Sequence, residues 1–248
     1  NMSGTFYNLG KKLGPKVRKA KWVWHSATGT EADAIKTENE VGRDLASEVR
    51  CQLALDTDPK IRALLKKIGS RLSKCVANRY RTFSFECVEQ GKPNAFALPG
   101  GFIFFPRSLI ELSKRDTDEL AFVLSHEMAH VIRGHAMERI MSQSAVSAAS
   151  RVTPARSVLG GWLKRVGIQF LESAYSQDLE TESDRLAVRL TKAARYDPNG
   201  AIRLLSRLAE LNTDQQDNDL SAYLSSHPPH SNRILSIQRM IAKLDDRS

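Results

Sequence analysis

Hydrophobic positions follow a helical rhythm along most of the chain and alternate strictly in one short stretch. From Glu38 to Leu55 the apolar residues Val41, Leu45, Val49 and Leu53 recur at helical spacing. Asp58-Pro59 then opens a second helix, with proline at its first position, carrying Ile61, Leu64, Leu65, Ile68 and Leu72. Arg81 to Val88 has period two and reads as a strand. Beyond it, two short extended segments flank the Pro99-Gly100-Gly101 turn. Pro99 cannot donate a ladder hydrogen bond, which places Asn94 to Leu98 at a sheet edge.

Asp116-Thr117-Asp118-Glu119 reads as a helix cap with acids in the first turn, followed by the apolar run Leu120, Ala121, Val123 and Leu124. The same helix is expected to continue from Gly134 to Ala149 with weakening periodicity. Ser150 to Gln169, containing Pro154, Gly160, Gly161 and Gly167, reads as a loop with a short helix, either a lid or plain surface. Phe170 to Ala194 is helical again, and Asp197-Pro198-Asn199-Gly200 breaks it and starts a helix through Leu211. A final amphipathic helix follows Ser226 to Ile234. These elements predict a mainly α chain with a small antiparallel β element, an α+β fold. Residues 1–36 form a basic arm and residues 37–248 a single domain.

Chemistry concentrates in Leu124-Ser125-His126-Glu127-Met128-Ala129-His130-Val131-Ile132, an H-E-x-x-H pattern inside an apolar helix. Histidines four residues apart project from one face, one turn apart, so both imidazoles can reach a single Zn²⁺. Glu127 beside them is placed to take a proton from a zinc-bound water. Two histidines and an acid in an apolar helix are costly to bury unless something pairs with them.

A catalytic zinc takes three protein ligands and water, so a third donor is needed. A histidine just after the helix is one option, but Arg133 occupies the required glycine position and Ala136 the histidine position. His135 lies about 180° round a straight helix and joins the site only if the helix breaks at Gly134. We therefore expect the donor from a later helix. Glu180 is the best candidate, with Glu172 and Glu182 as substitutes, because Asp184 follows one turn on and can orient a ligating histidine. The alternative is an acidic surface stripe.

His227, beside Pro228 and Pro229, sits on a constrained loop that could fold over the metal. There it would donate to an oxyanion or take the water position as a fourth ligand; a simple capping loop is the alternative. Arg233 would add positive charge at the same place or pin the loop to a carboxylate. The edge segment Asn94-Ala95-Phe96 is expected either to bind an extended peptide by strand addition or to belong to a core hairpin.

Composition changes this picture little. The hydrophobic fraction of 41% and charged fraction of 26% are those of an ordinary globular chain of 248 residues. No apolar run reaches a membrane-spanning length, and no signal peptide is visible. The chain is thus expected in the cytoplasm or peripherally on a membrane, or in the periplasm if an upstream signal has been removed. Met2 reads as the native start. Cys51, Cys75 and Cys87, odd in number and without C-x-x-C spacing, read as reduced, partly buried thiols. The net charge of +9 is concentrated early, in Lys11, Lys12, Lys16, Arg18, Lys19 and Lys21, with Trp22 and Trp24 following. This arm is a solvated segment or a peripheral contact with an anionic membrane; no nucleic-acid motif accompanies it.

Taken together, four segments resemble the zinc metallopeptidase family that contains HtpX and the CAAX prenyl endopeptidases, in its soluble-domain branch. They are Asn94-Ala95-Phe96 with Pro99-Gly100-Gly101, His126 to His130 with His135, Tyr175-Ser176 with Glu180, Glu182 and Asp184, and His227-Pro228 with Arg233-Ile234. The resemblance implies a zincin-like fold and one Zn²⁺ per chain held by His126, His130 and Glu180. It also implies Glu127 as catalytic acid/base, Asp184 behind a ligand, and His227 near the active site. Ser183 stands where the family usually has alanine. The implied activity is hydrolysis of unfolded or misfolded proteins, in protein quality control. A latent, zinc-stabilised binding or chaperone-like module is the alternative.

Overall fold

The computed structural model describes residues 30–89, 94–141, 163, 175–213 and 233–246. Helix α1 spans Glu31–Gln52, and the Thr30 hydroxyl accepts from the Asp33 amide to cap it. It starts earlier than the apolar rhythm indicates because its first turns are polar and only Ala34 and Ile35 turn inward. Helix α2, Pro59–Ser73, begins as its sequence indicates, with the Asp58 carboxylate accepting from the Lys60 amide at 2.8 Å.

Strands β1 (Ser84–Val88), β2 (Phe96–Leu98) and β3 (Phe102–Pro106) form one sheet in the order β1-β3-β2. The expected antiparallel element is the β2–β3 hairpin, turned by a 3₁₀ segment at Pro99–Gly101 in which Gly100 and Gly101 have φ of 74° and 85°. β1 differs from the expectation: it pairs parallel with β3, from Ser84 opposite Phe102 to Val88 opposite Pro106, making the sheet mixed. β2 does lie at the edge.

Alternation along the sheet separates two apolar cores. Ile103 and Phe105 of β3 and Ala97 of β2 join the larger core, which also holds Leu65 and Ile68 of α2. Phe104, Phe96 and Leu98 turn the other way, onto Leu45 and Val49 of α1. Leu163, from the segment expected to be a loop with a short helix, is helical and buried in this second core; the remainder of 150–169 lies outside the described residues. Cys87 is buried, whereas Cys51 and Cys75 are exposed rather than partly buried; all three are free thiols.

After the short helix α3, Arg107–Leu112, comes the central helix α4, Thr117–Ile132. Asp116 caps it by accepting from the amides of Asp118 and Glu119 at 2.9 and 3.3 Å. From Glu119 to Val131 every residue is buried, so the helix runs through the core with neighbours on all sides. Helix α5, His135–Met141, follows; α6 is Gln177–Ala193, α7 Gly200–Thr213 and α8 Arg233–Asp245. Arg207 of α7 donates to both oxygens of the fully buried Glu119, at 2.7 and 2.9 Å, and so ties down the start of α4. The Thr191 hydroxyl of α6 donates to Ser125 at 3.1 Å and braces α6 across α4. Among the described residues no helix is long and apolar enough to cross a membrane.

Candidate metal centre

His126 and His130 leave α4 one turn apart, and their Nε2 atoms lie 3.1 Å from each other. Helix α6 crosses α4 and brings in Glu180. Its Oε2 is 3.4 Å from His126 Nε2 and its Oε1 3.4 Å from His130 Nε2. All three side chains are buried. A tetrahedral ion with bonds of about 2.05 Å has donors about 3.3 Å apart, so the observed triangle has the required size. Two imidazoles and a carboxylate also form a donor set that suits a borderline divalent ion.

Each imidazole is held from behind. His126 Nδ1 is 3.0 Å from Asp184 Oδ1, and Arg233 grips the same carboxylate. The third guanidinium nitrogen, Nη1, lies 3.6 Å from Glu180 Oε2. Burial would push the Asp184 carboxyl up, but Arg233 and His126 outweigh it and hold the pKa at about 2. For His126 burial works against the charged form, and Glu180 and Asp184 overcome it, raising the imidazole to about 9 without metal.

His130 Nδ1 lies 3.1 Å from His135 Nδ1, which the Ser183 hydroxyl also approaches at 3.3 Å. His135 Nε2 in turn is 3.6 Å from Glu182 Oε2. The expectation that His135 is carried away on a straight helix is therefore wrong. Gly134, with φ of 76°, ends α4, its amide donating to the Val131 carbonyl at 2.9 Å. The chain turns there, and α5 restarts with His135 directed back at His130. His135 thus stands behind a candidate ligand and outside the triangle itself. Ser183 does more than fill space.

Tyr175 stacks on the His130 ring at 3.9 Å with an interplanar angle of 16°, and the Arg139 guanidinium lies 3.4 Å over the tyrosine ring. Its hydroxyl is buried although the residue as a whole is partly exposed. Burial pushes the phenol well above its usual pKa; Arg139 opposes this and Glu127 adds to it. Glu127 itself is buried beside His126.

This combination of a buried H-E-x-x-H helix and a crossing acidic helix has a counterpart among known proteins, since the profile of peptidase family M48 matches residues 59–241. The chain belongs to this family. Within peptidase family M48 it is 35% identical over 155 residues to the mitochondrial metalloendopeptidase OMA1 of Schizosaccharomyces pombe, covering 62% of this chain and 45% of that protein. It is 27% identical to the beta-barrel assembly-enhancing protease of Yersinia pestis, over 81% of this chain and 42% of the relative. To metalloprotease YcaL of Escherichia coli it is 24% identical, over 89% and 84%. The matched region spans less than half the length of the first two relatives.

Not every expected residue of this family member enters the centre. Glu182 is half exposed and pairs with Arg133 at 3.1 Å rather than joining the triangle. Arg233, expected to add positive charge there or to pin the loop to a carboxylate, holds the Asp184 carboxylate. Asn94, Ala95 and Phe96 are buried, backbone and side chain alike, and Phe96 stacks on Phe104 at 5.3 Å. His227, Glu172 and the basic arm before residue 30 lie outside the described residues. The glycine after the last apolar position of α4 was a legible signal for the His135 turn. The Tyr175–Arg139 stack has no such signal.

Proposed function

We propose that the chain is a zinc-dependent endopeptidase that hydrolyses peptide bonds of unfolded or misfolded proteins. The observation that carries this reading is the buried triangle of His126, His130 and Glu180 with an acid, Glu127, in the same turn of α4. Family membership supports a metal-dependent peptidase, and the size of the triangle favours zinc. When bound, zinc would polarise the scissile carbonyl and lower the pKa of a water.

The protein's own residues do the rest. Glu127 takes the proton from the water and passes it to the leaving amine, which must depart neutral. The Asp184 carboxylate, 3.0 Å from His126 Nδ1, favours the proton on that nitrogen and so leaves Nε2 unprotonated toward the centre, and His135 would do the same for His130. Arg233 is a positioning residue that fixes Asp184. β2 is an edge strand, and an extended substrate would pair along it; because Ala95 to Leu98 are almost wholly buried, the groups covering that edge would have to move aside first. His227 remains our candidate for contact with the developing oxyanion.

Glu127→Gln is expected to keep stoichiometric zinc and lower cleavage of a denatured protein by about 10²–10⁴-fold. Cleavage at the parent rate by the zinc-loaded variant would remove Glu127 from the mechanism. Zinc binding without cleavage by the parent under any condition would favour the binding module.

A further inference from the structure

A groove of about 320 Å³ runs between α6 and α8, on elements that also carry the metal centre. Its rim is cationic: Arg185 and Arg189 face it from α6, Arg239 and Lys243 from α8. Each pair is spaced four residues apart, so each helix offers two positive groups about 6 Å apart along its axis. The floor is apolar, formed by Val188 and Met240. Among the described residues none of these four cations has a carboxylate partner. Several arginines elsewhere do have carboxylate partners: Arg203 with Asp116 and Asp197, Arg207 with Glu119, Arg107 with Asp56 and Glu111.

The groove is braced at both ends. Asp184 and Arg233 join the two helices at one end, and Lys192 joins them at the other through Asp245 at 2.7 Å and the Leu244 carbonyl at 3.0 Å. It is therefore preformed. Leu235, one turn before Arg239 on the same stripe of α8, is 49% exposed. Unpaired cations around an apolar floor, with an exposed leucine beside them, match a surface that is anionic above and apolar beneath. The volume is at the small end for a ligand site, suiting a headgroup. A docked peptide helix would need anchors over two turns, and the floor is too short for that.

We propose that the α6–α8 groove docks the protein on an anionic phospholipid surface, with a lipid phosphate between the arginines of the two helices and the adjoining carbons over Val188 and Met240. Arg185 is the neighbour of Asp184 on α6, so docking would hold the metal centre next to the membrane surface.

The test uses the full chain and co-sedimentation with phosphatidylcholine vesicles, with and without phosphatidylglycerol. Binding should require phosphatidylglycerol and weaken with salt. Arg189→Glu/Arg239→Glu should weaken it by about 25-fold or more, at about fivefold per cation lost. Lys66→Glu/Lys67→Glu, the same charge change on the exposed face of α2, should leave most of the binding in place. Equal losses in both variants would overturn the proposal by reducing it to net charge. Full binding by the groove variant would do so too, by moving the contact to another basic segment. Groove-dependent binding of glycerophosphate or polyglutamate, with none to vesicles, would replace the lipid surface with a soluble phosphate or an acidic protein and equally overturn it.

Discussion

Arg233 holds Asp184 by two parallel hydrogen bonds, Nε to Oδ2 and Nη2 to Oδ1, both 2.8 Å long and both buried. Arg233→Met should lower the unfolding free energy of the metal-free protein by up to about 3–5 kcal/mol, because the buried Asp184 charge loses its two-pronged partner and keeps only His126. Arg233→Lys cannot reproduce the fork and should fall between the two. Denaturant titration measures both, and unchanged stability in the methionine variant would show that the pair is not the tie described.

His135→Phe preserves the ring packing and removes the group that faces His130 Nδ1. Zinc affinity should drop by about 10–100-fold, the usual effect of losing a partner behind a ligating histidine. Competition with a fluorescent chelator reads this directly; parent-like affinity would leave the contact without a role.

Gly134→Ala probes the turn that delivers His135. At φ of 76° an alanine is strained by about 1–2 kcal/mol. The melting temperature should fall, and zinc affinity should fall with it as α5 shifts. Lowered stability with intact affinity would separate the turn from the centre.

Proton binding at His126 makes the metal-free protein sensitive to alkali. Its pKa is raised from 6.5 to about 9, burial being outweighed by Glu180 and Asp184. The charged form therefore contributes stability that is fully present below about 6.5 and is lost as pH rises through about 9. In chelator the melting temperature should decline across that window. Zinc displaces the proton, so the loaded protein should not show the decline. A metal-free melting temperature that climbs over the same range would contradict this assignment.

The features legible in the sequence were the local ones. Asp116 as a cap, the apolar run after it and the four-residue spacing of His126 and His130 all act within a few turns of one helix. Glu180 could be singled out because Asp184 follows it one turn later. The parallel pairing of β1 was not legible, since it depends on β3 entering between β1 and β2, which no local pattern encodes. The break at Gly134 had its signal in the glycine itself; that α5 then brings His135 back onto His130 depends on tertiary packing, which no local pattern encodes. The first turns of α1 carry little apolar signal because Glu31 to Asn39 is mostly polar.

The two imidazoles of α4 and the carboxylate of α6 meet only across a helix crossing. A ribosome-bound chain that has not yet emerged as far as Glu180 carries half a centre, with a poor grip on any cation. In the proposed enzyme cutting power would thus be switched on by the completion of folding itself, leaving half-made copies harmless to the proteins around them.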